Sequence, residues 1–318
     1  MNVLVTGANG FVGSALINHL MTNTSCRVIA AARNSVSLPN DVSCINVKDL
    51  SNSTDWSPAL ADVSVVIHTA ARIHMMKDDV VAALNECRKV NVEGTLNLAC
   101  QSAKSGVKRF IFISSIKVNG ECTTNGGSFN ELDDVGPIDP YGQSKWEAEK
   151  GLRAISSETG MEVVIIRPPL VYGPEVKANF HNLLKLAKTG LPLPFGAIHN
   201  LRSMIFISNL VDFIVNCIDH PNAANETFLI SDGDDLSIPM LLTQLRSDMG
   251  IPPRLIPVPK SLFLLAGKVS GKSDVVERLC GSLQVDSTRA KKLLGWVAPY
   301  TVQQGLKVTV DNFLKIND

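Results

Sequence analysis

The sequence has no excess charge of either sign, no paired cysteine motif, no metal-ligand pattern and no long uncharged apolar run. Each absence excludes a class of function. Thirty basic and thirty acidic side chains cancel over 318 residues, so the chain lacks the broad positive field of a general nucleic-acid or anionic-membrane binder. An anionic ligand must be met locally. The seven cysteines, Cys26, Cys44, Cys87, Cys100, Cys122, Cys217 and Cys280, form an odd, scattered set without a C-x-x-C pair. Such a set argues against a disulfide framework or a thiolate zinc site, and for a reducing, cytoplasmic setting. The six histidines include no H-E-x-x-H or comparable pattern, so His68 and His74 do not read as ligands and no metal is expected. No uncharged apolar run reaches the roughly 18 residues that span a bilayer. The opening "MNVLVTG" lacks the basic and apolar regions of a secretory leader. Neither a membrane nor a nucleic-acid partner is expected.

What is present is a composition able to bury a large core, 45% hydrophobic and 19% charged. Short β-branched runs alternate with helix-length amphipathic stretches: "NVLVT" then 11–22, "CRVIAAA", "VSVVIHTA" then 80–105, "RFIFISS" then 141–159, and "MEVVIIRP". This alternation predicts an α/β fold, a doubly wound parallel sheet with helices on both faces. After Arg167 the texture changes. Prolines interrupt "PPLVYGP", "LPLPFG" and "IPPRLIPVPK", which predicts a smaller, loop-rich C-terminal domain. "MIFISNLVDFIVNCIDH" and "ETFLISDG" read again as strand, helix and strand, with the Phe and Leu stripe at 205–214 as core. The expected division is a sheet domain of 1–167 plus about 202–232, and a second domain of 168–201 plus 233–318.

Three glycines in seven positions, Gly7, Gly10 and Gly13, need a reason, because glycine in a regular element costs up to about 1 kcal/mol relative to alanine. They stand after a predicted strand and open a predicted helix, where each has a physical use. Gly7 permits the tight turn, Gly10 lets a pyrophosphate approach the backbone, and Gly13 allows close helix-to-strand packing. The helix start at Phe11 and Val12 then offers free N–H groups and the positive dipole end to phosphates. A dinucleotide site follows. About 20 residues on, where a carboxylate would bind the adenosine ribose, the sequence gives Ala-Ala-Ala-Arg33. An arginine there can pair with a 2′-phosphate, which favours NADP over NAD; the alternative is a solvated surface arginine.

The segment "IDPYGQSKWEAEK" starts a helix at Pro140 and sets Tyr141 and Lys145 one turn apart on one face. A phenol is a poor base at neutral pH, but a neighbouring ammonium and a nicotinamide cation both favour its phenolate. Tyr141 can then act as a general acid or base. Ser114 and Ser115 end the strand "RFIFISS", at the carboxyl edge where open α/β sheets place ligands. A hydroxyl at Ser115 can hydrogen-bond a reacting oxygen, though a serine ending a strand is also a common turn former.

TGANGFVG, "HTAA" at 68–71, "NVEGTLNL" at 91–98, "FISS", YGQSK and "RPPLVYGP" together resemble the extended short-chain dehydrogenase/reductase family, in its nucleotide-sugar epimerase/dehydratase branch. The likeness runs in order through essentially the whole chain. It implies a Rossmann domain with strand order 3-2-1-4-5-6-7, a C-terminal substrate domain, and a catalytic set of Ser115, Tyr141 and Lys145. By the same resemblance Asp49 and Leu50 contact adenine, Ala70 lines the nicotinamide side, and Lys145 holds the nicotinamide ribose. Asn179 and Arg202 resemble the diphosphate contacts of a sugar nucleotide, "LPLPFG" with Phe195 the loop against its base, and Arg278 a second diphosphate ligand.

Departures from the branch narrow the chemistry. Its dehydratases carry an Asp-Glu pair just after the catalytic hydroxyl, where this chain has Ile116 and Lys117. GDP-fucose-synthase-like enzymes carry a cysteine at the position of Lys117, and the usual tyrosine of "VYG" is Asn119. The segment "SSIKVNGE", with Arg33, resembles proteins grouped with UDP-hexose 4-epimerases and with 4-keto-reductases of UDP-N-acetyl-6-deoxyhexoses. Chemistry at sugar carbon 4 is expected, by a UDP-hexose or UDP-N-acetylhexosamine 4-epimerase or by an NADPH-dependent 4-keto-reductase of a UDP-6-deoxyhexose. A dinucleotide-binding sensor without turnover is the third reading, opposed by the complete Ser-Tyr-Lys set. The resemblance also implies a homodimer through the helices at about 80–105 and 141–159, with Val80, Val81 and Leu84 near the seam.

Overall fold

The computed structural model describes residues 1–33, 42–73, 80–124, 126–133, 136–269, 271 and 273–317, without the side chains of 266, 269, 274, 275, 277, 278 and 317. His74 lies outside the described residues. The strands are β1 (Asn2–Thr6), β2 (Arg27–Ala32), β3 (Ser43–Asn46), β4 (Val65–His68), β5 (Arg109–Ile113), β6 (Glu162–Arg167), β7 (Leu170–Tyr172), β8 (Met204–Phe206) and β9 (Thr227–Leu229). Seven of them form one parallel sheet in the order β3-β2-β1-β4-β5-β6-β9. The doubly wound fold is as expected.

Alternate residues of each strand enter opposite layers of core. Val3 and Val5 of β1 join Leu16, Ile17 and Leu20 of the Phe11–Asn23 helix and Leu210 and Phe213 of the Ile207–Asn216 helix. Leu4, Val66, Phe110 and Phe112 face the other way, onto Leu98, Ala148 and Leu152. Burial on both faces is why β4 and β5 read as unbroken apolar runs, for a parallel sheet covered by helices has no wet face.

Two features depart from the sequence reading. The helix expected over 80–105 is three pieces: α-helix Val80–Cys87, a π-helical turn Arg88–Gly94, and α-helix Thr95–Lys104. The widened turn ends in the "NVEG" motif, where Gly94 sits so close to Leu50 that a Cβ would come within 2.9 Å of its carbonyl carbon. Secondly, β8 pairs with β7 in a separate two-stranded sheet, and β9 is the strand that returns to the main sheet beside β6.

The helix Pro140–Thr159 is defined at both ends by its sequence. Asp139 caps it, its carboxylate accepting from the Gly142 N–H at 2.6 Å; Pro140 takes the first turn, and Gly160 closes it at φ 76°.

Candidate active site

The loop from β1 to the Phe11–Asn23 helix is dictated by space. A Cβ on Gly7, which has φ 71°, would lie 2.8 Å from both the Ala70 nitrogen and Thr69 Oγ1. A Cβ on Gly13 would collide with the Gly7 carbonyl. Gly10 donates its N–H to the Gly7 oxygen at 2.8 Å and caps the helix without a side-chain bond, and the first turn carries no acid. Half-buried Phe11 and Val12 follow at the helix start. Bare backbone and a helix N-terminus make a cradle that fits a pyrophosphate.

Arg33 follows β2 and is exposed. Asp49 is exposed and its side chain accepts from Thr54 Oγ1 at 3.2 Å, while Leu50 packs against Gly94. The loop they begin is pinned to the Thr95–Lys104 helix through Asn97 Nδ2, which donates to the carbonyls of Ser51 and Thr54 at 3.0 and 2.8 Å. Ala70 abuts Gly7 at the end of β4. His68 is fully buried with Nδ1 2.6 Å from Thr6 Oγ1 and Nε2 3.0 Å from Thr95 Oγ1. Burial, with Lys145 nearby, pushes its imidazole down to about 3, so it stays neutral between two threonines.

Tyr141 and Lys145 occupy the first turns of the Pro140–Thr159 helix. Lys145 is 1% exposed; its ammonium donates to the Ile113 carbonyl at 2.7 Å and lies 4.2 Å from the centre of the Phe112 ring. Burial pushes it down to about 7, against the opposing influence of Glu149. Tyr141 is half-buried, and burial together with Asp139 and Cys87 raises its phenol above the usual value. Ser115 begins a short 3₁₀ turn, Ile116–Val118, its hydroxyl accepting from the Lys117 N–H at 3.2 Å. This turn packs on the helix start, where a Cβ on Gly142 would meet the Lys117 oxygen at 2.6 Å. The structure therefore brings the Ser115 turn, Tyr141 and Lys145 to the carboxyl edge of β5, beside the glycine loop's strand neighbours.

The sequence reading missed the groups that hold this arrangement. Asn91, 1% exposed in the π-helical turn, bonds the Arg72 N–H at 2.8 Å and its carbonyl at 3.0 Å. It also donates to Ser144 Oγ at 2.9 Å, and Ser144 in turn donates to the Tyr141 carbonyl. Asn91 thus ties the loop after Ala70 to the tyrosine helix. Lys117 pairs with Asp139 and Glu121, so its charge is compensated locally. Asn119 accepts from Arg167 at 2.9 Å. Asn91 lies in "NVEGTLNL" and Ser144 in YGQSK, but neither pattern announces their pairing, and Glu149 reads as an ordinary helix charge.

The expected substrate residues come from several segments. Asn179 is exposed in the first turn of the Ala178–Lys188 helix. Phe195 stacks on Phe263 with ring centres 5.5 Å apart. Arg202 is half-buried; it exchanges backbone hydrogen bonds with Leu236, and its guanidinium donates to the Gly281 carbonyl at 3.1 Å. Burial lowers its affinity for its proton, opposed by Cys122 and Glu121. Arg278 falls in the helix Ser273–Cys280, and its side chain lies outside the described residues.

Comparison with known proteins bears on this geometry. The sequence profile of the NAD dependent epimerase/dehydratase family matches residues 3–231. The chain belongs to that family. It is 49% identical to a UDP-glucose 4-epimerase of Vibrio cholerae over 318 residues, which covers 100% of this chain and 97% of the relative. It is 31% identical to the N-acetyl-alpha-D-glucosaminyl-diphospho-ditrans,octacis-undecaprenol 4-epimerase of Escherichia coli O157:H7, covering 97% of this chain and 94% of that one. Among solved structures, UDP-glucose 4-epimerase of Thermotoga maritima with UDP-glucose superposes at TM-score 0.77 and 26% identity, with complete coverage of both chains. UDP-glucuronic acid 4-epimerase of Bacillus cereus in complex with NAD gives 0.80 at 23% identity over both whole chains, a likeness of fold. Among the described residues no helix is long and apolar enough to cross a membrane.

Proposed function

We propose that this protein is an NAD-dependent UDP-hexose 4-epimerase. The observation that carries the reading is the 49% identity, over the whole of this chain, to a UDP-glucose 4-epimerase. The glycine loop and the helix start at Phe11 and Val12 hold the pyrophosphate, with Asp49 and Leu50 toward adenine and Ala70 toward the nicotinamide. Bound there, NAD would supply a nicotinamide ring able to accept and return a hydride at sugar carbon 4, and a positive charge that favours the phenolate of Tyr141. Tyr141 takes the proton of the 4-hydroxyl and gives it back, Ser115 orients the 4-oxygen, and Lys145 holds the nicotinamide ribose and supports the phenolate. The 4-keto sugar turns between the two transfers. Asn179, Arg202 and Arg278 hold the diphosphate and Phe195 the base.

The carbon-4 reductase reading draws on the "SSIKVNGE" segment and on Arg33, which is exposed just after β2. We assign it a minor part, because the family is NAD dependent and the relatives above are epimerases. The seven free cysteines support a cytoplasmic location. Exposed Val80 and Val81 and half-buried Leu84, on a helix that packs against Pro140–Thr159, support a homodimer through these helices. Light scattering checks this directly: a mass near twice the 34.3 kDa of the chain is expected, and a monomer at micromolar concentration contradicts it.

The test is product analysis after incubation with UDP-glucose or UDP-N-acetylglucosamine without added reductant. The galacto epimer of at least one is expected. No epimer from either, together with NADPH-dependent consumption of a 4-keto-6-deoxy nucleotide sugar, overturns the epimerase reading in favour of the reductase.

A further inference from the structure

Beneath the helix that carries Tyr141 and Lys145 lies a buried ionic group outside the mechanism above. Glu149, one helical turn beyond Lys145, is fully buried. Its Oε1 accepts from Ser114 Oγ at 2.6 Å and Arg167 Nε at 2.9 Å; its Oε2 accepts from Arg167 Nη2 at 2.6 Å and Arg153 Nη2 at 3.1 Å. Arg167 is 2% exposed at the end of β6, and Arg153 is half exposed. Four donors on two oxygens fix this carboxylate in place.

A buried ion pair is weak stabilisation, because desolvating both charges offsets most of their attraction, and an apolar pair of similar volume often serves as well. Its position suggests another use. Lys145 is almost wholly removed from water, and among the described residues its hydrogen-bond partner is a neutral carbonyl, that of Ile113. An ammonium in such a pocket tends to lose its proton. The charged or titratable groups facing it are Tyr141 and Glu149 on its own helix and His68 on β4, with Arg167 and Arg153 beyond, both bound to Glu149. His68 is neutral between its threonines, so the carboxylate is the group on that side that favours the charged lysine.

We propose that Glu149, clamped by Arg167 and Ser114, is a positioning residue whose carboxylate keeps Lys145 protonated at working pH and thereby keeps Tyr141 competent. The inference rests on the catalytic reading of Tyr141 and Lys145 given above. Removing the carboxylate has two effects of the same sign: it deletes a negative charge near Lys145 and leaves the Arg167 guanidinium uncompensated. Removing Arg153 acts in the opposite sense, because it deletes a positive charge from the far side of Glu149.

The experiment is the pH profile of kcat/KM for the NAD-loaded enzyme and three variants, with thermal midpoints recorded alongside. In Glu149→Gln the alkaline limb is expected to move down by about 1 pH unit or more, the size of effect that an adjacent opposite charge exerts. In Arg153→Met, at a half-exposed site, the limb is expected to move up by a smaller amount. Lys145→Met is the control for the underlying reading: turnover retained there refutes the assignment of Lys145 itself. With Lys145→Met inactive, a profile of Glu149→Gln that superposes on wild type after scaling overturns the proposal. Should Glu149→Gln fail to fold, an Arg153→Met limb that stays in place or moves down does the same.

Discussion

Up to Arg167 the candidate site is held by backbone: Gly7, Gly10 and Gly13 shape a loop in which a single added Cβ would collide, and Asn91 and Asp139 fix the elements around it through main-chain N–H and C=O groups. Beyond Arg167 the corresponding residues are side chains gathered from distant segments, with Phe195 against Phe263 and Arg202 against the Gly281 carbonyl. A backbone requirement leaves a contiguous trace in the sequence, because only certain residues permit it. A side-chain pair formed across sixty or more residues leaves none. On the proposed reading, the first region would hold the dinucleotide and the second the sugar nucleotide.

Breaking the first region should have the larger consequences. Tyr141→Phe is expected to lower kcat by about 10²–10⁴-fold with cofactor affinity intact, as for loss of a general acid or base; steady-state kinetics beside a binding titration checks both halves of that statement. Gly13→Ala forces a methyl group into the Gly7 carbonyl. The resulting shift should cost about 1–3 kcal/mol of dinucleotide binding, or roughly tenfold to a hundredfold in Kd, read by calorimetry.

In the second region Arg202→Met is expected to raise KM for the nucleotide sugar with a smaller change in kcat. Loss of a charge-assisted phosphate contact is worth about 1.5–3 kcal/mol, which is roughly tenfold to a hundredfold. A fall in kcat at constant KM would place Arg202 outside the diphosphate site.

Acid stability probes the strand end between the two. His68 titrates near 3 when folded, below its ordinary value, so between these pH values the unfolded chain binds the extra proton. Stability attributable to its neutral form is present above pH about 6.5 and drains away as pH falls toward 3, amounting to about 2 kcal/mol lost by pH 5. Thermal midpoints of wild type and His68→Gln across pH 5–8 should therefore converge as the solution is acidified. The smallest effect is expected of Arg33→Ala, which should leave NAD affinity unchanged and weaken NADP binding, as paired titrations would show.

The parallel sheet was legible because strands buried on both faces cannot avoid being apolar throughout, and the glycine turn because φ 71° at Gly7 excludes most other residues. That Tyr141 and Lys145 share the start of one helix was legible in Pro140 and the helical spacing. The π-helical turn at Arg88–Gly94 was not, since it ends where Gly94 meets Leu50, more than forty residues earlier, a contact that no local pattern announces. Nor was the Glu149 cluster: in "EAEK" a glutamate four residues after a lysine reads as one more solvated helix charge, and only the approach of Arg167 from β6 and Ser114 from the end of β5 shows it to be interior.

The central claim is that a hydride leaves and returns to the same sugar carbon while Tyr141 exchanges the proton of its oxygen. The most direct measurement follows UDP-glucose deuterated at carbon 4 during turnover by the purified, NAD-loaded protein without added reductant. The account predicts UDP-galactose that keeps its deuterium at carbon 4. Loss of the label to solvent, or product formed only in step with consumption of added NADPH, would contradict it.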